Sequence, residues 1–308
     1  DMGEKPKGLL FTKVIKCKML PFQESIYYEA IQDKDDTLDR RSEAVANFAF
    51  PGLSDDKKSL AGYFGRAGIV TIRNQLKSYY EQLNKKIATD ILKDADIESD
   101  MDLMYLSEGN KTITGSILKL KYLKYFSIKF YHALKKLSRL IWGKKGARTA
   151  FVYSNLVKIG IELFEEVLIQ NGYLEYQENP NNYTINSTTL CYYCGRTYKE
   201  HQQDKLKIKN VNRQKQTSSA SSSSASSSSA SSKRKNSDIS DSSSEYKKPT
   251  GKIPEHQFHP AVFISVTGQT SEESAELVPE DKQRTLQTVF NNIDNKEGKY
   301  IKFVLGSK

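Results

Sequence analysis

Two cysteines and three histidines in the second half of the chain have the residue types and spacing of a metal site. Cys191 and Cys194 are separated by two residues, and His201 follows on the same side of a long polar stretch. Two thiolates at this spacing can bind one tetrahedral ion, and zinc then requires two further nitrogen or sulfur ligands. His201 and one of His256 or His259 can supply them. The predicted zinc site is Cys191, Cys194, His201 and His256, with His259 as the alternative fourth ligand.

Two other interpretations of the same cysteines stay open. The thiols could be free and structural, or they could form a redox dithiol. Gly195 directly after the second cysteine permits the turn of a zinc knuckle. The candidate ligands also flank the polar stretch, so a metal would close a loop whose closure otherwise costs conformational entropy.

Composition and charge indicate the compartment and the class of partner. The chain has 308 residues, three cysteines and a net charge of +10, and its isoelectric point is near 9.2. It contains no apolar run of 18 or more residues and no signal-peptide pattern at its start, so we expect an intracellular protein that is neither secreted nor membrane-bound. An odd number of cysteines suits a reducing compartment. The excess of Lys and Arg favours a polyanionic partner such as nucleic acid.

Shifts in composition divide the chain into five parts. They are a first segment at 1–53, a helical insertion at 54–126, the first half of an α/β domain at 127–190, the zinc knuckle with a polar linker at 191–258, and the second half of the α/β domain at 259–308. In the linker, 218–232 contains only Ser and Ala, and we expect it to be disordered because it cannot bury apolar surface. The basic run 233–235 could be a nuclear import signal or a solvated charge cluster.

The first two parts are predicted to be mainly helical. An alternating strand-like run covers 9–17, Pro21 begins a helix, and Pro51-Gly52 forms a closing turn. Apolar residues then recur every three or four positions through 69–91, as expected for a long amphipathic helix that packs on one face.

The α/β domain is predicted from alternating strands and helices. A helix at 129–142 precedes the apolar strand 149–154, which we expect to be buried on both faces, and a second helix follows it. Ser154 or Asn155 is expected to cap that helix, and Gly172 to end it in a left-handed conformation. A buried strand at 261–267, a helix starting at Pro279 and a strand within 300–308 complete a parallel sheet.

Several segments resemble one helicase family. The run GARTAFVYSNLVKIGIELFEEVLIQNGY resembles motif IV of superfamily 2 helicases, and SIKFYHAL resembles the signature that opens their second RecA-like domain. CKMLPFQESIYYEAI is similar to the segment between the two motor domains, and DRRSEAVANFAFPGL resembles the branch found in nucleocytoplasmic large DNA viruses. The resemblance is to the early transcription factor small subunit and related viral helicases.

The resemblance implies an incomplete RecA-like α/β domain with a nucleic-acid strand crossing the carboxyl ends of its strands. It assigns nucleic-acid contacts to Tyr153, Ser154, Asn155, Gly268, Arg284, Gly306, Ser307 and Lys308. Three of them have simpler alternatives. Ser154 could be a helix cap, Gly268 an ordinary loop glycine, and Arg284 a side chain that only covers a helix face.

The family's activity requires residues that this sequence does not contain. No G-x-x-x-x-G-K-[ST] phosphate cradle occurs in the chain, and no Asp-Glu pair follows a buried strand to hold Mg²⁺. The arginine-finger motif VI is expected beyond Lys308. We therefore expect a parent enzyme that uses ATP and Mg²⁺, and no ATP hydrolysis by this chain alone.

The resemblance also implies a biological setting. The parent is expected to act in viral transcription, in the virion or host cytoplasm, on DNA rather than RNA. The viral RNA polymerase or a second transcription-factor subunit are the expected protein partners. The alternative from a different functional class is a non-catalytic, zinc-stapled module, built on an orphan RecA-like domain, that binds nucleic acid or protein.

Overall fold

A computed structural model of the chain describes residues 13–32, 40–97, 101–107, 109, 112–143, 148–203, 256–267 and 280–307. The chain divides into two units, one formed by Asp1–Leu134 with Leu156–Gln170 and the other by Lys135–Asn155 with Asn171–Lys308. The predicted disordered linker and two site residues, Gly268 and Lys308, lie outside the described residues. No helix among the described residues is long and apolar enough to span a bilayer.

The first unit is mainly helical and contains two short antiparallel strand pairs. Its elements are α1 (Pro21–Gln32), α2 (Arg40–Asn47), β1 (Phe50–Leu53), β2 (Leu60–Tyr63), α3 (Gly65–Lys86), β3 (Tyr105–Leu106), β4 (Ile113–Thr114), α4 (Leu120–Leu123), the first half of α5 (Ile128–Trp142) and, after the second unit's first strand, α6 (Leu163–Gln170). Strand β1 pairs with β2, and β3 pairs with β4. Single π-helical segments follow α3 at Ile87–Ile91 and precede α6 at Val157–Glu162.

A buried glutamine connects distant parts of this unit. The Gln23 side-chain amide donates to the Val45 carbonyl at 2.9 Å, and its carbonyl oxygen accepts from the Ile128 backbone N–H at 3.0 Å. Gln23 is fully buried, and Ile26 and Ala30 on the same helix pack against Val45. The predicted helix start at Pro21 is confirmed, and its apolar face forms this core.

Two predictions for the first unit are wrong. Residues 13–17, the described part of the predicted first strand, have no regular structure. Pro51 and Gly52 lie within β1 and do not form a turn; proline is tolerated there because β1 belongs to a two-stranded sheet, in which each strand is an edge. Gly52 is required for close packing, since a Cβ atom would come within 2.6 Å of Ile72 Cδ1.

The second unit is built on a parallel sheet. Its strands are β5 (Ala150–Tyr153), β6 (Leu174–Glu175), β7 (Val262–Val266) and β8 (Phe303–Gly306), and its helix α7 covers Glu280–Thr285. Among the described residues the strand order is β5-β8-β7-β6, with every neighbouring pair parallel. The predicted α/β class and its parallel sheet are confirmed.

Both faces of the two central strands are covered. On one face, Ile264, Val266 and Val304 pack against Leu286, Val289 and Phe290, which lie in the π-helical segment after α7, as the periodicity predicts. On the other face, Phe303 contacts the Tyr173 ring at a centroid distance of 5.3 Å, and Trp142 stacks on Tyr173 at 5.8 Å. Every residue of β7 and β8 is buried.

The first strand of the sheet differs from its prediction. Strand β5 pairs only with β8, so it is an edge strand in the described structure, and the side chains of Phe151 and Tyr153 are 64% and 49% exposed. The predicted burial on both faces is therefore wrong, because a short apolar run does not by itself distinguish an edge strand from a central one.

The predicted turns around α6 are partly confirmed. Gly172 has φ +88° directly after this helix, as predicted for a left-handed cap, and a Cβ atom would lie 2.3 Å from the Thr188 carbonyl oxygen. The predicted cap at Ser154 or Asn155 is wrong. The helical segment begins at Val157, and its N-cap is Leu156 without a side-chain hydrogen bond.

We expect truncation of Leu305 to destabilise the second unit strongly. This side chain is fully buried in the central strand β8, and Leu→Ala changes in cores cost about 2–5 kcal/mol. Urea unfolding of Leu305→Ala, followed by circular dichroism, measures the loss. The control is Ile293→Ala in the same unit, because Ile293 is 76% exposed and should change the unfolding free energy by less than about 0.5 kcal/mol. Equal stability of both variants would contradict the central position of β8.

Candidate functional site

The carboxyl ends of β5 and β8 bring together four of the predicted nucleic-acid-binding residues. Tyr153 is in register with Gly306 across the parallel ladder, and the Ser154 backbone N–H donates to the Gly306 carbonyl at 3.1 Å. Ser307 follows directly. Two segments separated by about half the chain therefore end side by side at one edge of the sheet.

Asn155 adds an amide to this edge. The Tyr153 hydroxyl donates to Asn155 Oδ1 at 2.9 Å, which fixes the acceptor side of the amide and leaves its NH₂ as the donor side. Hydroxyl and amide donors beside exposed backbone suit a phosphate oxygen, and such contacts position a nucleic-acid strand without reading its sequence. These are groups of the kind that contact a sugar–phosphate backbone.

Arg284, another of the predicted nucleic-acid-binding residues, lies on a helix of the second unit. This residue of α7 lines a groove of about 580 Å³ together with Tyr176 and Glu178. Lys282 was not among the predicted site residues, and its amine lies near the carboxyl end of the neighbouring strand β7. Lys282 Nζ donates to the Ser265 carbonyl at 2.6 Å, at the carboxyl end of β7. The sequence indicates this lysine only through its position in the first turn of the helix that follows a buried strand.

The predicted metal ligands lie together in the second unit. One ligand atom from each of Cys191, Cys194, His201 and His256 lies within 4.8 Å of the others. Cys191 Sγ is 3.3 Å from His256 Nε2, and His201 Nε2 is 3.1 Å from the same nitrogen. Ligand atoms around a tetrahedral zinc ion, at the usual Zn–S and Zn–N bond lengths, are separated by about 3.3 to 3.8 Å. The four side chains therefore fit one tetrahedral ion.

Local backbone structure explains how the cysteines converge. Gly195 has φ +66°, and its N–H donates to the Cys191 carbonyl at 2.9 Å, which closes the knuckle turn. Gly195 is also the residue required here because a Cβ atom would come within 2.6 Å of the Trp142 ring. The Cys191 N–H donates to the Arg196 carbonyl at 2.8 Å and closes the other side.

A capping box places His201. The Thr197 N–H donates to the Glu200 carboxylate at 2.9 Å, and the Glu200 N–H donates to the Thr197 hydroxyl at 3.3 Å. This reciprocal pair starts the helical residues 198–203 and directs His201 to the cysteines. The Thr-x-x-Glu pattern at 197–200 is visible in the sequence and could have predicted this helix.

His256 reaches the cluster through the irregular segment that leads into β7. Cys191 forms an isolated bridge with Pro260, and the Tyr192 N–H donates to the His259 carbonyl at 2.9 Å. These bonds hold the segment after residue 255 against the knuckle. His259, the alternative fourth ligand, contributes its backbone carbonyl to this pairing and is not part of the cluster.

The electrostatics of the cysteine pair suit a cation. A hydrogen bond with Cys194 lowers the pKa of Cys191 to about 4, and the same interaction raises the pKa of Cys194. The direction of this shift favours the thiolate form of Cys191, which is the form that binds a metal ion. A cation would also favour ionisation of the second thiol, because metal-bound cysteine is deprotonated.

A buried lysine, Lys302, lies beside the knuckle and was not predicted from the sequence. Lys302 is 1% exposed, and its Nζ donates to the Arg148 carbonyl at 3.2 Å and to the Glu297 carbonyl at 2.5 Å. It also lies 5.5 Å from the centroid of the Tyr192 ring. Burial, with a smaller effect from the Arg148 charge, lowers the pKa of Lys302 to about 7. No sequence pattern marks a lysine before a strand as buried.

Comparisons with known proteins give one strong match. No protein-family profile matches the chain, and no solved structure matches it. A protein of Acanthamoeba polyphaga mimivirus named "Putative ATP-dependent RNA helicase L377" is 46% identical over 310 residues. The alignment covers 100% of this chain and 23% of the mimivirus protein, so the chain spans about a quarter of that relative's length.

We expect Lys302 to make stability depend on pH. The unfolded chain keeps the lysine proton up to its ordinary pKa of 10.5, whereas the folded chain loses it near 7. Between these values the unfolded state binds more protons, so the unfolding free energy should rise with pH, by at most about 1.4 kcal/mol per pH unit. Below pH 7 the full cost of burying the charge remains.

The measurement is urea unfolding of the wild type and Lys302→Met at pH 7, 8 and 9. The variant has no amine to titrate, so its stability relative to wild type should fall as pH rises, because only the wild type gains. Other titrating groups cancel in this difference. A constant difference across the three pH values would contradict the burial of an ionisable amine.

Proposed function

We propose that the chain forms part of an ATP-dependent nucleic-acid helicase or translocase of superfamily 2 that serves viral transcription. In this proposal the second unit is the second RecA-like domain of the motor. The carboxyl ends of its strands hold the nucleic-acid backbone. The longer protein supplies the binding site for ATP and Mg²⁺, because this sequence contains no phosphate-binding G-x-x-x-x-G-K-[ST] motif.

One observation carries the proposal. Tyr153, Ser154, Asn155, Gly306 and Ser307 come from two distant segments, and the parallel pairing of β5 with β8 ends both at the same edge. Ligands of open α/β sheets bind outside the carboxyl ends of the strands. Hydroxyl and amide groups at that edge, in a chain with net charge +10, suit a polyanion.

The mimivirus protein supports the helicase part of the proposal. At 46% identity over the whole chain, the two chains share a common fold in this region, and the name of that protein specifies ATP dependence and RNA. The segments that resemble the viral helicase branch favour DNA. We propose a location in the virion or host cytoplasm, with viral RNA polymerase or a second transcription-factor subunit as partners.

The edge residues are tested by direct binding. We expect the chain to bind 12-nucleotide single-stranded RNA and DNA of one sequence, and the double variant Asn155→Ala, Ser307→Ala to bind both at least about fivefold more weakly, because each lost hydrogen bond to a charged group is worth upwards of about 1 kcal/mol. Fluorescence anisotropy at several salt concentrations gives the affinities and the number of neutralised phosphates.

The matched control is Asn182→Ala, Ser187→Ala, which removes the same two side-chain types from exposed positions elsewhere in the second unit. It should bind like the wild type. Equal weakening by both double variants, or no binding by the wild type, would contradict the assignment. The ratio of the wild-type affinities decides between RNA and DNA.

We also propose that Cys191, Cys194, His201 and His256 hold one zinc ion. Three of these ligands precede residue 204 and the fourth follows residue 255, so the ion would fasten both ends of the polar linker to the amino end of β7. Bound zinc would supply a fixed cross-link. This site also supports the alternative function, a zinc-stapled binding module without catalytic activity.

We expect one zinc ion per chain by elemental mass spectrometry after expression with zinc. Cys194→Ser should lose the ion and melt at a lower temperature, because a structural zinc contributes binding free energy to folding. Cys17→Ser is the control, since this third cysteine lies outside the cluster. A metal-free wild-type chain whose mass shows a Cys191–Cys194 disulfide would support the redox dithiol and contradict the zinc site.

A further inference from the structure

Two large aromatic side chains on β5 are open to solvent beside the proposed nucleic-acid edge. Phe151 and Tyr153 are 64% and 49% exposed. Ala150, before them, and Val152, between them, are partly buried. Residues two apart on a strand point to the same face. The two rings therefore stand on one face of the sheet, and their Cα atoms are about 6.6 Å apart along the strand.

The structure explains why this part of the face is uncovered. Register partners in a parallel sheet share a face, so Phe151 and Tyr153 lie beside Val304 and Gly306 of β8. Val304 is covered by Leu286, Val289 and Phe290, whereas Phe151 and Tyr153 stay exposed. The Phe151 and Tyr153 rings therefore lie at the margin of the covered part of the sheet.

The Phe151 ring packs directly over Gly306. A Cβ atom at this position would lie 2.8 Å from Phe151 Cζ, so the ring occupies the space that any other residue would fill. The phenol of Tyr153 is held through its hydroxyl by Asn155 at 2.9 Å. Each ring is thus supported on one side by its own neighbour, while a substantial part of its surface stays accessible.

The surroundings favour a nucleobase as the occupant. Polar groups of Ser154, Asn155 and Ser307 adjoin the rings at the carboxyl edge, and Lys282 lies at the carboxyl end of the next strand but one. A single nucleic-acid strand offers phosphates to the polar groups of this edge and flat π-faces to the rings, and its charge is opposite to the net charge of +10 of the chain. Exposed aromatics on a sheet stack two or three unpaired bases in this way.

We propose that Phe151 and Tyr153 stack on two bases of a single-stranded nucleic acid whose phosphates lie along the carboxyl edge. The proposal rests on the proposed function, and it adds base contacts to a site otherwise assigned to the backbone. Stacking on aromatic rings tolerates any base, so the site would select single strands over duplexes without selecting sequence. A motor that must move along any sequence needs this kind of contact.

The test compares two probes of equal charge. One is a 12-nucleotide oligodeoxythymidylate, and the other is an abasic deoxyribose-phosphate strand of the same length. Wild-type chain should bind the base-containing strand at least about fivefold more tightly, since each stacked base is worth about 1–3 kcal/mol. Phe151→Leu should lower the affinity for the base-containing strand at least about fivefold and leave the affinity for the abasic strand unchanged. Tyr153→Leu also removes the hydroxyl bonded to Asn155, so it should lower the affinity for the base-containing strand by a larger factor than the affinity for the abasic strand.

Tyr28→Leu is the matched control, because Tyr28 is also an exposed tyrosine, at 54%, but lies on α1 in the other unit. It should leave both affinities unchanged. A second readout needs no substitution: 2-aminopurine placed within the strand should change its fluorescence when it stacks on the wild-type rings. Circular dichroism verifies that each variant is folded.

The outcomes separate this inference from the proposed function. Equal wild-type affinity for both strands, with no effect of the leucine variants, would overturn stacking and leave the backbone interface intact. An equal loss for both strands in the folded Phe151→Leu variant and in the folded Tyr153→Leu variant would also overturn it, because the rings would then act only by shaping the edge. Failure of the wild type to bind either strand would overturn the proposed function together with this inference.

Discussion

The pairing of β8 with a strand on each side is the constraint on which the second unit depends. Its residues Phe303–Gly306 are all buried and run parallel to both β5 and β7. Because parallel neighbours end at the same edge, this ladder aligns Tyr153, Gly306 and Val266 at one level. The ring of Tyr153, the amide of Asn155 and the hydroxyl of Ser307 come from segments far apart in sequence. They lie at one edge because β8 pairs with β5.

The opposite end of the same strands has a different role. The cysteine knuckle bridges to Pro260 just before β7, and the buried Lys302 just before β8 fastens the Arg148 and Glu297 carbonyls beside it. A tetrahedral ion at Cys191, Cys194, His201 and His256 would strengthen this end of the sheet. In the proposed account, the amino ends of the strands are held by the metal site and Lys302, and their carboxyl ends bind the nucleic acid.

The sequence predicts the buried parts of this structure well and its edges poorly. Strands β7 and β8 are continuous apolar runs with burial on both faces, so periodicity and composition suffice to find them. The same pattern misassigned β5, because strand order depends on long-range pairing that a local run does not encode. Pro51-Gly52 was mistaken for a turn because the packing of Gly52 against Tyr63 and Ile72 is likewise non-local.

The candidate sites show the same division. The cysteine and histidine cluster was predictable because ligand type and spacing carry the chemistry, and the structure brings the four residues within 4.8 Å. The placement of Lys282 and the burial of Lys302 were not predictable, since isolated lysines are usually solvated. The nucleic-acid contact of Arg284 is expected from resemblance alone, and this residue lies in a groove with Tyr176 and Glu178.

Hydrogen–deuterium exchange with and without a single-stranded oligonucleotide tests the central claim most directly. The account predicts slower exchange on binding in peptides that contain Tyr153–Asn155 and Gly306–Ser307, with the knuckle at 191–203 unchanged. Protection confined to the knuckle or to the first unit, in a chain that demonstrably binds the oligonucleotide, would contradict the assignment of the carboxyl edge as the nucleic-acid surface.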